Sequence, residues 1–226
     1  MNESFIEVRD LRKTYGSTPP VTALRGIDMS VARGERVVIV GRSGAGKSTL
    51  LNILGLLDAP STGQYLLHGV DTATMSMRER NALRSRSLGF VFQEHHVLGH
   101  RTVAENVQIK LAIAGAPRAA RPRQISRALD QVGLTHRRGS LARLLSGGEK
   151  QRLAVARAIV DEPRVLLADE PTGNLDEDNA DNVLALFDEQ AASGVAVVVI
   201  THDARVSAWS DRTLRLVDGR IQDDAG

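Results

Sequence analysis

Gly41-Arg42-Ser43-Gly44-Ala45-Gly46-Lys47-Ser48-Thr49 fits the phosphate-binding pattern G-x-x-x-x-G-K-[ST] without a mismatch. Its flanks give the pattern a physical context. Upstream, Val37-Val38-Ile39-Val40 is an unbroken apolar run, as in a parallel strand buried on both faces. Downstream, Leu50, Leu51, Ile53, Leu54 and Leu57 are spaced to cover one face of a helix. Strand, glycine loop and helix together aim backbone N–H groups and the positive end of a helix at one spot. Lys47 can then reach the β- and γ-phosphates of a nucleotide, and the Ser48 hydroxyl can ligate Mg²⁺. The alternative, a glycine turn before an ordinary helix, leaves the lysine and the hydroxyl unexplained.

The composition bounds what surrounds this loop. The 226 residues suffice for one large domain or one domain with a sizeable insertion. Net charge is +2, from 29 Lys+Arg against 27 Asp+Glu, which gives no ground for nucleic-acid binding. With no cysteine, disulfides and thiolate metal sites are excluded, which is compatible with the cytoplasm. Met1-Asn2-Glu3-Ser4 lacks the basic and apolar regions of a secretory signal. No apolar run approaches the roughly 20 residues of a membrane-spanning helix. The expectation is a soluble chain that meets a membrane only through a partner.

Working outward from the loop, residues 5–31 alternate with period two around Ile6-Glu7-Val8-Arg9 and Ile27-Asp28-Met29-Ser30-Val31, which predicts antiparallel strands. Thr18-Pro19-Pro20 marks the loop tip between them, and Arg33-Gly34-Glu35 a turn. Tyr15 either stacks on a base or packs a strand end. After the glycine-loop helix, Pro60 to Gly63 turns into Tyr65-Leu66-Leu67-His68-Gly69, read as an edge strand, and Met77 to Ser87 as an exposed helix. Leu88-Gly89-Phe90-Val91-Phe92 is a strand ending on Gln93, which is either a loop amide or a group placed to reach Mg²⁺ or an attacking water.

Residues 94–145 change to helical spacing (Val103, Val107, Leu111; Ile125, Leu129, Val132), a helical insertion between two halves of the core sheet. Its middle is basic, with Arg118, Arg121, Arg123, Arg127, Arg137, Arg138 and Arg143 against Asp130. This is a solvated face or a contact for acidic groups of a partner or lipid. No acidic cluster completes a metal site around His95, His96 and His100, which read as loop histidines.

Leu144 to Arg152 is the second site of interest. Ser146 and Glu149 fit the capping box S-x-x-E, continued on one face by Leu153, Ala156, Ile159 and Val160. Gly147 and Gly148 directly after the cap are poor helix formers that leave first-turn N–H groups unshielded for an anion. Val165-Leu166-Leu167-Ala168-Asp169-Glu170 is an apolar strand ending in two carboxylates. Asp169 is the group to hold Mg²⁺, and Glu170 the one to polarise an attacking water. A helix is expected from about Asn179 to Ala191. Val195 to Ile200 is a further buried strand delivering His202 to the edge that also carries Gln93, Asp169 and the glycine loop. Asp218-Gly219 closes a terminal hairpin, and a short polar tail follows.

Taken together, these residues resemble the ATP-binding-cassette (ABC) ATPases over nearly the whole chain. Gly41 to Thr49 is similar to the Walker A loop, Gln93 to the Q-loop and Leu145 to Gln151 to the signature. Val165 to Glu170 looks like the Walker B strand, Asn174-Leu175-Asp176 the D-loop, His202 the H-loop and Tyr15 the adenine-stacking aromatic. Phe90 to Gln93, His95 to Leu98, Thr102 to Val107, Leu167 to Asp176 and Asn179 to Asp181 look closest to the branch of macrolide-export, lipoprotein-release and related antimicrobial-peptide-resistance ATPases. Glu94 and Gly99-His100 depart from that pattern beside the Q-loop, where such proteins meet membrane subunits. Glu149 stands for the usual glutamine.

The resemblance implies an α/β P-loop NTPase over 1–226, with a mostly parallel core sheet, an N-terminal antiparallel β subdomain and a helical subdomain at about 94–160. It implies an ATPase with Mg²⁺ as cofactor, in which Glu170, His202, Gln93 and Lys47 are catalytic. Ser48, Gln93 and Asp169 are implied as metal ligands. Tyr15 and every residue from Gly41 to Thr49, namely Gly41, Arg42, Ser43, Gly44, Ala45, Gly46, Lys47, Ser48 and Thr49, are implied to hold nucleotide. Ser146, Gly147 and Gly148 are implied to hold the nucleotide of the other copy in a head-to-tail homodimer. A separate transmembrane permease subunit at the cytoplasmic face of the membrane is the implied partner, for export, extraction or mechanotransmission. A soluble role in repair or translation fits less well, because residues 50–145 lack sustained heptads and there is no second glycine loop. A regulatory or signalling use of the same chemistry stays open.

Overall fold

The computed structural model describes residues 4–16 and 18–222. Residues 1–3, on which the lack of a leader was read, and the polar tail 223–226 lie outside the described residues.

Two sheets organise the chain. In the first, β1 (Ser4–Tyr15) and β2 (Val21–Ala32) pair antiparallel, and their alternation buries Ile6, Val8 and Leu11 with Ile27, Met29 and Val31. β4 (Thr62–Leu67) pairs with the other side of β1, and the two-residue β5 (Val70–Asp71) follows it, giving the order β2-β1-β4-β5. The segment read as an edge strand is therefore an inner one. Tyr65 on it is fully buried and its hydroxyl donates to the Leu54 carbonyl at 2.8 Å, while the short β5 takes the edge.

The second sheet holds five parallel strands, β3 (Arg36–Val40), β6 (Leu88–Phe92), β7 (Val165–Asp169), β8 (Ala196–Ile200) and β9 (Arg212–Val217). β10 (Arg220–Gln222) returns antiparallel on β9, and the order is β10-β9-β3-β8-β7-β6. The register sets Phe92 opposite Asp169, and Asp169 and Ile39 each opposite Ile200. The residues that follow these positions emerge level with one another at the carboxyl edge.

Both faces of this sheet are covered, which is why its strands are apolar throughout rather than alternating. Val37, Ile39, Val165, Leu167, Val198 and Ile200 pack toward the antiparallel sheet and α1 (Lys47–Leu54). Val38, Leu166, Ala168, Val197 and Val199 pack toward helices α3 (Val103–Ile113), α4 (Arg121–Gln131), α5 (Gly147–Ile159) and α6 (Glu177–Ala192). In that layer Val103, Val107, Leu111, Ile125, Leu129 and Val132 are all buried, as their spacing requires.

α2 (Met77–Ser87) buries none of its residues and is held at its start by a Ser76–Glu79 capping box. α7 (Ala204–Trp209) follows β8. Leu50, Leu51, Ile53 and Leu54 of α1 are buried, but the helix stops at Gly55, so Leu57 leaves the apolar face and is 52% exposed. α6 begins at Glu177, capped by Asp176, two residues before the expected start. The arginine-rich stretch is not a uniformly free face. Arg127 pairs with Glu162 at 2.6 Å and Arg137 with Glu149 at 2.9 Å, while Arg121 and Arg138 donate to the Ala116 carbonyl and to Ser126. Among the described residues no helix is long and apolar enough to cross a membrane.

Candidate active site

The glycine loop leaves β3 and enters α1 through left-handed residues, Gly44 at φ 80° and Gly46 at φ 105°. Gly46 is held there by a neighbour as well: a Cβ would come within 2.6 Å of the Ala23 carbonyl oxygen. No side chain caps α1 and its first turn carries no acid, so its leading N–H groups face outward with their partial positive charge uncompensated. Lys47 folds back over the loop, its Nζ donating to the carbonyls of Gly41 at 2.6 Å and Arg42 at 3.1 Å. This is a positive cradle whose lysine is held by neutral acceptors that a phosphate would outcompete. Arg42, Ser43 and Ser48 are exposed on it, Thr49 is half-buried, and Ala45 is packed into the core beneath.

Tyr15, at the end of β1, is 40% exposed and its hydroxyl donates to Asp58 at 2.8 Å. The Lys13 ammonium lies 4.7 Å from the ring centroid and donates to Asp58 and to the Ala59 carbonyl, both at 2.7 Å. The ring is thus fixed in position, with a cation over one face.

The carboxyl edge carries the acids. Burial, with the Glu170 charge adding to it and Lys47 opposing, pushes the Asp169 carboxyl up. Glu170 stands one residue beyond β7 in the left-handed region at φ 44°, and its N–H donates to the Ile200 carbonyl at 2.8 Å. One carboxylate oxygen accepts from the Thr201 hydroxyl at 2.8 Å, and the other meets His202 Nδ1 at 2.7 Å. That hydrogen bond, and then the Glu170 charge itself, raise the imidazole above its ordinary range. Gln93 turns its amide to Asn174, donating to Oδ1 at 3.4 Å. The structure thus brings Asp169, Glu170 and His202 together and sets Gln93 against the Asn174 loop.

Among the described residues no three His, Asp or Glu side chains converge as a metal-holding group. The Ser48 hydroxyl and the half-buried Asp169 carboxylate are the oxygens that could hold an ion here, together with those of a bound phosphate. That oxygen-only donor set suits Mg²⁺. His95 and His96 instead accept through their carbonyls from Arg157, at 2.9 and 2.7 Å.

At the start of α5 the capping box is complete: Ser146 Oγ accepts from the Glu149 N–H at 3.2 Å, and Glu149 accepts from the Ser146 N–H at 2.9 Å. Arg137 also pairs with Glu149. The two glycines differ. Gly147 faces open space, as the unshielded-backbone reading requires. Gly148 is buried, and a Cβ on it would run into the side chain of Asn179. The expectation that both present bare backbone is corrected by this contact from α6.

Sequence reasoning missed Thr201, Gln151, Thr172 and Asn179. Thr201 is a fully buried hydroxyl immediately before His202, and the carboxylate it binds is 31 residues away in sequence. Gln151 is buried and donates to the Pro171 carbonyl at 2.6 Å and the Phe92 carbonyl at 3.4 Å, tying α5 to the loops beyond β6 and β7. Thr172 Oγ1 is buried without a partner just after Glu170. Nothing local in the sequence marks the contacts that Gln151, Thr172 and Asn179 make. A cavity of about 810 Å³, lined by Arg33, Arg123 and Arg164 among others, lies at the opposite edge, where β7 and β8 begin, away from this chemistry.

Residues 24–173 match the family model described as ABC transporter. The whole chain is 42% identical to the macrolide export ATP-binding/permease protein MacB 2 of Aeromonas hydrophila, and 98% of it is 44% identical to the pyoverdine export ATP-binding/permease protein PvdT of Pseudomonas aeruginosa. The chain spans about a third of the length of these relatives, 35% and 34% respectively. Among solved structures it superposes on the bacterial ABC transporter cassette MJ0796 in dimeric form, with TM-score 0.86 and 33% identity over 96% of both chains. It superposes equally, at TM-score 0.86 and 32% identity over 96% of both chains, on the dimeric post-hydrolysis state of that cassette bound to ADP and Pi. CbiO1 from Clostridium perfringens, part of the ABC transporter complex cbiONQ, matches at TM-score 0.87 and 28% identity, over 97% of this chain and 87% of that one.

Proposed function

The chain belongs to the ABC transporter family as one of its ATP-hydrolysing cassettes, and from that premise we propose that it powers a membrane exporter of the macrolide-export branch. The observation that carries the proposal is the meeting of the lysine cradle, the paired acids and His202 at one edge of the parallel sheet. ATP enters with its adenine on the Tyr15 ring and its phosphates over residues 41–49. Lys47 exchanges the Gly41 and Arg42 carbonyls for phosphate oxygens. Ser48, Gln93 and Asp169 would hold Mg²⁺, which would supply charge neutralisation on the phosphates. Glu170 takes a proton from the attacking water. His202 holds that carboxylate in place and faces the transferring phosphoryl group.

A Cβ built on Gly147 would meet nothing of its own chain within 4 Å, which fits a nucleotide held against a second copy. We assign Ser146, Gly147 and the backbone of Gly148 to the nucleotide of that partner in a head-to-tail dimer. A transmembrane permease, whether continuous with this chain in a longer protein or a separate subunit, receives the motion at the cytoplasmic face. The relatives' names, which pair ATP-binding with permease, support that reading. The surface around Glu94 and Gly99-His100, beside the exposed Leu98, is where we place the contact.

Lys47→Ala tests the site. ATP binding by calorimetry and phosphate release should fall together, because the cation and the loop act on the same phosphates. Ordinary hydrolysis by this variant removes the phosphate assignment.

A further inference from the structure

The sequence assigns Asn179 no role at a site, yet it is the residue that explains Gly148. Asp176 caps α6, its Oδ1 accepting from the Asn179 N–H at 2.9 Å. Asn179 Nδ2 donates to the two carboxylate oxygens of Asp176, at 2.9 and 2.8 Å. A carboxylate only accepts, so these bonds fix which end of the amide is nitrogen. The amide oxygen must then point the other way. There it lies against Gly148, where no Cβ fits, and accepts from Arg152 at 3.3 Å, one turn further along α5. Asp176 ends the Asn174-Leu175-Asp176 loop, whose Asn174 accepts from Gln93. A continuous run of contacts, Gln93 to Asn174, through the loop to Asp176, then Asn179 to Gly148, joins the chain's own nucleotide edge to the glycine turn that faces the partner.

We propose that Asn179 is a positioning residue, which latches the first turn of α5 to the Asn174–Asp176 loop and so sets Gly148 and Gly147 for the partner's nucleotide. The inference rests on the composite dimer site proposed above. The latch depends on which side carries hydrogens and which carries lone pairs, not on bulk. Asn179→Asp is isosteric but sets a carboxylate against the Asp176 carboxylate, so it should open the latch. The exchange Asp176→Asn with Asn179→Asp rebuilds it in reverse, because asparagine caps a helix as well as aspartate and its amide then donates to the carboxylate at 179.

The experiment measures steady-state ATP hydrolysis by the full chain, with ATP binding to the monomer followed by calorimetry. Asn179→Asp should lower kcat about tenfold or more, the scale of a lost charge-assisted hydrogen bond, with ATP affinity of the monomer unchanged. The exchanged double variant should return most of the lost kcat. Wild-type kcat in Asn179→Asp, no recovery on exchange, or a loss explained by weaker monomer binding of ATP would overturn the latch. In parallel, Glu170→Gln with ATP is sized by light scattering. A dimer there with an unaffected Asn179→Asp discards the latch alone, whereas a monomer there discards the composite site and the latch with it.

Discussion

Glu170 occupies a left-handed backbone conformation at φ 44°, which costs a non-glycine residue about 1–3 kcal/mol and persists only where its surroundings enforce it. The Ile200 carbonyl, the Thr201 hydroxyl and His202 do so from the neighbouring strand. Such a carboxylate is preorganised as a base. Glu170→Gln should therefore lower turnover by roughly 10²–10⁴ while ATP still binds, as read by phosphate release against calorimetry. An unchanged rate removes Glu170 from that role. The same contact predicts a titration. The raised folded pKa of His202 means that protonated imidazole stabilises the site fully below the unfolded value of about 6.5, and this is lost as pH rises through the folded value. By NMR, the His202 midpoint should lie above that of a free histidine and fall back toward it in Glu170→Gln. An identical midpoint in both proteins would show that the pair does not form in solution.

At the scale of elements, α3 and α5 start with the same device, a Thr102–Glu105 and a Ser146–Glu149 capping box. Thr102→Ala and Ser146→Ala should each cost about 1 kcal/mol in urea unfolding. Only Ser146→Ala should also lower turnover, because of these two helices α5 alone is proposed to present its first turn to nucleotide. Equal effects of the two variants on turnover would deny α5 that role. The Ser146–Glu149 box was legible in the sequence, as were β3, the glycine loop and β8, because each is written in contiguous residues. Elements settled by distant partners were not. β4 reads as an edge until a two-residue strand, too short to show a period, pairs beyond it. Leu57 fits the helical face, but α1 stops before reaching it. Gly148 reads as bare backbone, since nothing near it in sequence announces Asn179. Thr201, 31 residues from the carboxylate it binds, was likewise a strand end and nothing more.

The whole molecule holds two half-sites that face away from completion in one chain: a cradle with its acids, and a capped glycine turn with open space before Gly147. In the proposed head-to-tail dimer, a second copy related by a two-fold axis completes both at once. The specific activity of the wild-type chain should consequently rise with protein concentration. Mixing two inactive variants tests this most directly. Lys47→Ala keeps its glycine turn, and Gly147→Arg keeps its cradle, the new side chain having room in the monomer. Random pairing gives mixed dimers with one intact site, so an equimolar mixture should regain roughly a quarter of wild-type ATP hydrolysis. A mixture as inactive as either variant alone would contradict the account.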